Sequence, residues 1–165
     1  MSDAGSLVAL IPRLRRYARA LVGDRAAADD LVQDTLERAW AKLHLFRRGT
    51  DLRAWLFTVM HNVHVNQIRA ARPTDTLDDE MPELAQRAAQ GDALLVRDLE
   101  RALAALPVAQ REVLLLVALE DLSYEETARV LGIPIGRVMS RLARAREKLR
   151  VLLQERGNGK LHVVK

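Results

Sequence analysis

The 165-residue chain has no cysteine, which excludes disulfide bonds, thiolate nucleophiles and cysteine-ligated zinc. Aromatic residues make up only 4% of the chain, and no alternating strand pattern is present, so a composition rich in Ala, Leu and Arg favours helices. No apolar run is long enough to cross a bilayer, and no signal-peptide pattern opens the chain. These absences predict an all-α protein of the cytoplasm, without membrane insertion.

Patterns for catalysis and metal binding are also missing. The chain has no glycine-rich loop of the kind that cradles phosphates. His61 and His64 lie three residues apart, but no third ligand follows at suitable spacing, so we expect no metal and no cofactor. Asp29, Asp30 and Asp34 have no apolar pocket beside them, so helix-terminus charge or an acidic docking face explains them better than acid–base chemistry. We therefore expect no catalytic residues and no small-molecule substrate.

Charge falls into three blocks along the chain, whose formal net charge is +4. Residues 1–72 carry a net +5, residues 73–95 a net −5, and residues 96–165 a net +4. Two basic blocks around an acidic one are typical of two nucleic-acid-facing modules with an acidic connector. Ordinary charged helical surfaces would give a similar pattern, so charge alone does not decide the function.

Helical spacing of apolar residues predicts three helices in the first block. The first spans residues 7–21, with a start or kink at Pro12, and the second places Trp40 on the face that enters the core. The third begins after a cap at Thr50 or Asp51 and ends before Pro73. One tryptophan on each of the last two helices predicts a small shared core.

The third helix carries a polar row. Asn62, Asn66 and Arg69 follow one another at i, i+4 and i+7, so they share one face. Asparagine can pair with a base edge and arginine with guanine or phosphate, and the basic, aromatic loop 46–48 precedes the helix. This face could hold an unstacked base and its backbone, although a solvated polar face remains an equal alternative.

The second half begins after a predicted linker, residues 73–95, with a short helix near residues 84–90. A helix then carries one apolar face and ends at Pro107, and the apolar run 113–119 predicts the buried centre of a second module. From Gly157 to Lys165 no periodicity is present, so we expect a mobile tail.

Residues 122–141 predict a helix-turn-helix. Ser123 and Glu126 fit a capping box, Gly132 fits a turn that needs positive φ, and Pro134 suits the first turn of the next helix. Basic residues crowd the exposed side of that helix opposite an apolar stripe, which is how a helix enters the major groove. A helical hairpin with a solvated basic face is the alternative.

Four segments in order resemble the extracytoplasmic-function (ECF) sigma factors, the smallest specificity subunits of bacterial RNA polymerase. They are residues 29–35, residues 52–62, Leu106-Pro107 with 110–112, and residues 122–126. The resemblance spans roughly residues 5–155. Residues 49–57 also resemble the branch that serves the general stress response.

The resemblance implies an all-α protein of two small helical domains joined by an acidic linker. Sigma domain 2 would span residues 1–73, the linker 74–94, sigma domain 4, with the helix-turn-helix, 95–156, and a flexible tail 157–165. The implied partners are core RNA polymerase, promoter DNA and an anti-sigma factor.

The resemblance also implies site residues. Core polymerase would bind Asp30, Gln33, Asp34 and Glu37. The −10 element would be melted and read by Phe46, Arg47, Arg48, His61, Asn62, Asn66 and Arg69. The −35 element would be contacted by Ser123, Arg137, Met139, Ser140, Arg141 and Arg144. Arg137 and Met139 depart from the family, which commonly has Thr before the recognition-helix Val and a basic residue after it.

Two other functions are compatible with the residues alone. A stand-alone helix-turn-helix regulator would use the first module for dimerisation. A helical adaptor or an enzyme of unknown type is the third possibility, but the sequence supplies no catalytic groups for it.

Overall fold

The computed structural model describes residues 3–47, 49–71 and 94–164, with side-chain surroundings for 4–47, 49–71 and 96–155. Every regular element in these ranges is helical, which confirms the all-α prediction. The helices are α1 (Asp3–Ala9), α2 (Ile11–Val22), α3 (Arg25–Lys42), α4 (Leu52–Ala71), α5 (Leu94–Ala105), α6 (Val108–Leu114), α7 (Tyr124–Leu131) and α8 (Ile135–Val164). Arg48, nearly all of the predicted linker and its short helix at 84–90 lie outside the described residues.

Helices α1 to α4, which we call the N-module, pack around an apolar centre. Pro12 lies in the first turn of α2, so it starts a helix, as predicted. Asp24 caps α3 by accepting a hydrogen bond from the Ala27 N–H at 3.1 Å, which satisfies a donor that the first turn leaves unpaired. Tyr17 meets Phe57 edge to face at 5.0 Å between ring centroids, so α2 and α4 are joined by an aromatic pair.

The prediction that both tryptophans enter this core is wrong for Trp40. Its side chain on α3 is 59% exposed, whereas Ala39 beside it is fully buried. Successive helical residues point about 100° apart, so Ala39 takes the inward position and Trp40 faces outward. Trp55 is half-buried and packs against the core.

Helices α5 to α8, which we call the C-module, contain a buried arginine that joins α5 to α6. Arg111 of α6 is 4% exposed and donates to the carbonyls of Leu103, Ala104 and Leu106 at 2.7, 3.0 and 2.7 Å. These carbonyls lie at the end of α5 and in the turn before Pro107, where helical partners are missing. The arginine therefore fixes the α5–α6 corner.

The apolar run after α6 forms a wide, π-helical turn, Leu115–Leu119. Leu115 and Leu116 are buried there, while Ala118 is exposed, so the predicted burial holds for the first part of the run. The Glu120 N–H bonds to the Leu115 carbonyl at 3.1 Å, which closes the turn. Its geometry directs the fully buried Glu120 toward the N-module.

Helix α8 continues to Val164 and so runs through the segment after Gly157, whose mobility stays a prediction. Once a helix has formed, each further residue adds one hydrogen bond for each backbone unit that is fixed. No proline interrupts the segment, and a glycine in a helix costs only about 1 kcal/mol. A segment without apolar periodicity can therefore continue a helix that is already long.

The two modules contact each other directly, and their buried apolar residues form one cluster. Helix α2 packs against α5, α6 and the π-helical turn, and α4 packs against α7. Arg111 also reaches across, donating to the Leu21 carbonyl at the end of α2 at 2.6 Å. This arrangement places the polar row of α4 beside the helix-turn-helix.

Candidate nucleic-acid interface

The helix-turn-helix forms as the spacing predicts. Ser123 Oγ accepts from the Glu126 N–H at 3.0 Å, and Glu126 accepts from the Ser123 N–H at 2.9 Å, which completes the capping box. The hydrogen bond that the Glu126 carboxylate accepts from the Ser123 backbone N–H is the main cause that lowers the pKa of Glu126. Gly132 has φ 67°, the left-handed conformation that favours glycine, and it turns the chain toward α8.

One side of helix α8 packs against the rest of the protein, and the opposite side faces solvent. Val138, Leu142 and Ala145 are buried and pack beneath the helix, as their spacing predicts. Met139 is 52% exposed. The predicted −35 residues on this helix are Arg137, Met139, Ser140, Arg141 and Arg144. Arg141 is half-buried, and the other four are exposed. The free side of α8 therefore carries three arginines near its start, which suits contacts to DNA phosphates and base edges.

The polar row of α4 is also exposed. Asn62, Asn66 and Arg69 lie on the surface, as their spacing predicts. Before them, the half-buried loop residue Phe46 lies beside Trp55, with ring centroids 5.4 Å apart and the rings tilted by 47°, while Arg47 is exposed. The α4 row thus exposes amides and a cation, and the preceding loop carries an aromatic ring and another cation. These are the kinds of group that can hold unstacked bases.

His61 differs from the rest of the predicted −10 set. Its side chain is 18% exposed, and its Nδ1 donates to Glu112 Oε2 of the C-module at 2.6 Å. Burial lowers the pKa of His61, but the hydrogen bond and charge of Glu112 outweigh burial, and the pKa rises above its ordinary value. Arg141 opposes this rise, and α4 packs against α7 of the helix-turn-helix.

His64 points the other way, into the core. It is 8% exposed, and burial lowers its pKa. Neutral imidazole is therefore the form that the core holds. Across the described ranges no three His, Cys, Asp or Glu side chains converge as a metal site, and no helix is long and apolar enough to span a membrane.

An acidic surface lies on α3. The predicted polymerase-binding residues are all exposed; they are Asp30, Gln33, Asp34 and Glu37. Gln67 of α4 donates to Asp34 Oδ2 at 2.7 Å, so α4 helps to orient one of these carboxylates. The surface is therefore free to contact a basic partner.

Sequence reasoning missed three groups. Trp40 lies three residues after Glu37 and seven after Gln33, so it shares their face, and that spacing was the available signal. Glu112 and Glu120 are nearly or fully buried and pair with the N-module, which no local pattern reveals.

These surfaces define a class of protein: a two-module, all-helical DNA-binding transcription factor with a helix-turn-helix. The comparisons with known proteins give the family. Residues 7–61 match the model described as the Sigma2 domain of PhyR, and residues 97–149 match Sigma-70, region 4. The chain belongs to the ECF RNA polymerase sigma factors, which direct promoter-specific transcription.

Curated relatives carry that name. The chain is 39% identical to the ECF RNA polymerase sigma factor EcfG of Rhodopseudomonas palustris, over 89% of this chain and 82% of the relative. It is 36% identical to SigM of Mycobacterium tuberculosis, over 86% and 71%. Family membership sets aside the stand-alone regulator and the adaptor as alternatives.

Solved structures agree with the fold. The sigma factor RpoE, in complex with the anti-sigma factor NepR from Bartonella quintana, has a TM-score of 0.78 and 37% identity, covering 92% of this chain and 96% of that one. CnrH, in complex with the cytosolic domain of CnrY, has a TM-score of 0.70 and 33% identity, covering 92% and 87%.

Proposed function

We propose that this sigma factor reads its promoter with two chemically different surfaces, one on each module. The observation that carries the proposal is that the amide row of α4 and the arginine row of α8 are both exposed. Asn62, Asn66 and Arg69, with the loop at Phe46 and Arg47, hold unstacked bases of the −10 element. Arg137, Arg141 and Arg144 enter the major groove at the −35 element, beside Met139 and Ser140.

Arg48 and His61 complete the proposed −10 surface, and Ser123 the −35 surface. Arg48 is proposed on the loop sequence alone. His61 joins its surface only when its bond to Glu112 is broken, since that bond turns the imidazole toward the C-module. Ser123 caps α7, so its part is to hold the helix-turn-helix in shape at the DNA backbone.

We further propose that the α3 surface docks on core polymerase. Asp30, Gln33, Asp34 and Glu37 supply exposed polar and acidic groups, and the exposed Trp40 adds an apolar anchor on the same face. At protein interfaces a few central side chains, often tryptophan, contribute most of the binding energy, and the surrounding polar residues exclude water. Binding of core polymerase to this face would cover Trp40, which accounts for an exposed tryptophan on a folded helix.

The family and the relatives support a proposal about the biological setting. We propose that the protein acts in the cytoplasm, where polymerase works, and that it acts by binding rather than by catalysis. Domain limits of 1–73, 74–94 and 95–156 fit the family matches at 7–61 and 97–149. The chain matches the Sigma2 domain of PhyR and is similar to EcfG. Both similarities support the proposal that it belongs to the general-stress branch.

An anti-sigma factor is the remaining proposed partner, since similar sigma factors are seen with NepR and CnrY. A groove of about 410 Å³ runs between the end of α2 and α5. Apolar side chains, Leu21 and Leu103 among them, line it together with Arg19, Arg25 and one carboxylate, Glu100. An amphipathic helix with acidic flanks fits this groove by apolar burial and by charge.

Run-off transcription tests the proposed function. Core polymerase with this chain is expected to start transcription at a discrete set of sites in a promoter library, and core polymerase alone is not. A chain with Asp34→Ala and Trp40→Ala is expected to bind core polymerase at least tenfold more weakly, since central anchors contribute about 2 kcal/mol or more. Glu125→Ala, an exposed carboxylate on α7, is the matched control.

Absence of selected start sites would overturn the proposed function. Normal polymerase binding by the Asp34→Ala, Trp40→Ala chain would remove only the α3 surface from the proposal.

A further inference from the structure

The start of α8 carries an exposed row of apolar side chains. Ile135 and Met139 are 40% and 52% exposed, and Ala143 is exposed as well. The three residues follow one another at i, i+4 and i+8, so they share one side of the helix. Exposed charged residues, Arg146 and Glu147, come directly after them. The apolar row is therefore confined to about the first two and a half turns of α8.

The arginines of the same turns lie on a different side of the helix. Arg137, Arg141 and Arg144 follow one another at i, i+4 and i+7, so they form a cationic row. Arg137 comes two residues before Met139, which places the two side chains about 200° apart around the helix axis. Val138 lies between them in sequence and is fully buried. The buried side of α8 thus separates an apolar flank from a cationic flank.

Small residues lie between the two rows on the outer side of the helix. Ser140 comes two residues after Val138 and so points away from the buried side, and Gly136 is one turn before it. The Ser140 hydroxyl donates to the Arg137 carbonyl at 3.2 Å, which keeps it close to the helix. No long side chain therefore holds the backbone of this strip away from a surface that it approaches.

In a major groove the two flanks meet different chemical groups. Arginine pairs with phosphate oxygens and with the acceptors of guanine. Phosphates offer nothing to an apolar side chain, and the apolar group on a base edge in this groove is the C5 methyl of thymine. The first turns of a recognition helix are the ones that contact base edges, and the apolar row occupies those turns. Met139 is unbranched and flexible, which suits it to reach such a methyl group.

We propose that Ile135, Met139 and Ala143 read thymine methyl groups in the −35 element, with Met139 as the main contact. The apolar flank then favours A·T pairs at the positions that it covers, while the cationic flank holds phosphates and guanine. The inference rests on the proposed function, because it requires α8 to enter the major groove at −35. It adds the chemical group that the uncharged side of the helix recognises.

Replacing thymine by uracil tests the proposal, because uracil pairs in the same way and lacks only the C5 methyl. Each thymine of the −35 element selected by run-off is replaced in turn, on both strands, and binding of the duplexes to the holoenzyme is compared at one salt concentration. The parent holoenzyme is expected to bind at least one uracil duplex about fourfold more weakly, the effect of leaving about one carbon group unburied.

Variants at Met139 connect this loss to the apolar row. Met139→Ala is expected to bind the thymine duplex about fourfold more weakly than the parent and to show no further loss with uracil at the same position. Met139→Leu keeps an apolar side chain and is expected to keep the uracil effect. Val151→Ala is the matched control, since Val151 is an exposed apolar residue of α8 about 18 Å further along the helix. It is expected to match the parent on both duplexes.

Three results would overturn the proposal: parent-like binding of every uracil duplex, an undiminished uracil loss in folded Met139→Ala, or a selected −35 element without thymine on either strand. The first would leave the apolar row to a protein partner instead. Far-UV circular dichroism shows whether Met139→Ala is folded. Met139→Gln, which keeps the side-chain length and loses its apolar end, replaces that variant if it does not fold and is expected to lose the uracil effect too.

Arg144→Ala separates this inference from the proposed function. It is expected to weaken binding of the thymine and uracil duplexes by the same factor, because the arginine does not contact the methyl group. Normal binding of both duplexes by Arg144→Ala would count against the −35 surface itself. Loss of the uracil effect alone would leave the arginine contacts and run-off transcription intact.

Discussion

The two modules differ in what they bury. In the described N-module the buried polar side chains are Thr35 and His64, whereas the C-module buries Gln110, Arg111, Glu112, Glu120 and Thr127. Thr35 donates to the carbonyl four residues earlier, as helical threonines do. The three buried side chains that carry full charges, Arg111, Glu112 and Glu120, thus all belong to the C-module, and all three contact the N-module. The buried part of the N-module is mainly apolar. The C-module contributes the buried charged groups at the contact between the two modules.

Among the variants that test this difference in burial between the modules, a change at Arg111 is expected to alter the free energy of unfolding most. Arg111→Ala removes the donor to four carbonyls and leaves buried acceptors without partners, which costs about 3 kcal/mol of the free energy of unfolding. Urea unfolding measures the loss. Arg129→Ala, at an exposed arginine of α7, is expected to change stability by less than about 0.5 kcal/mol. Equal effects of the two variants would show that burial does not set the contribution of this charge.

A smaller effect is expected at the cap of the helix-turn-helix. Ser123→Ala removes the side-chain acceptor for the Glu126 N–H, and losing an N-cap costs about 1 kcal/mol. Thermal unfolding measures it, with Ser140→Ala as the control, because Ser140 bonds only within its own exposed turn. A Ser123→Ala chain as stable as the parent would mean that packing alone fixes α7.

The smallest expected effect is the pH dependence of the contact at His61. The pKa of His61 is raised in the folded chain above its ordinary 6.5, so its stabilisation is complete below pH 6.5 and is lost as the pH rises through the raised value. The change stays below about 1 kcal/mol, as for a single hydrogen bond. Stability measured from pH 6 to 9 should fall in the parent chain and lose this slope in His61→Gln.

His64 acts in the opposite direction. Burial lowers its pKa, so its contribution is present above pH 6.5 and is lost as the pH falls through the lowered value. The two histidines therefore affect stability in different pH ranges. A parent chain and His61→Gln with the same slope above pH 6.5 would contradict the role given to the Glu112 bond.

Local features of the fold were predictable from sequence, because the interactions behind them are local. Ser123, Glu126 and Gly132 act within one or two helical turns of each other, and their cap and turn form as predicted. The exposed row of Asn62, Asn66 and Arg69 follows from helical period alone.

Features that depend on distant partners were not predictable. Trp40 lies at the edge of the apolar stripe of α3, and only the neighbouring helices decide that it remains exposed. The pairs His61–Glu112 and Arg16–Glu120 join residues 51 and 104 positions apart. Periodicity carries no information about such pairs, so the contact between the modules came only from the structure. The limits of the domains remain a prediction.

Promoter opening by the reconstituted holoenzyme tests the central claim, that each module reads DNA in its own way. Asn62→Ala with Asn66→Ala is expected to abolish permanganate reactivity of −10 thymines while leaving polymerase binding and its salt dependence intact. Arg144→Ala is expected to weaken promoter binding and to reduce the salt slope by about one unit. Normal opening by the asparagine variant would contradict the account.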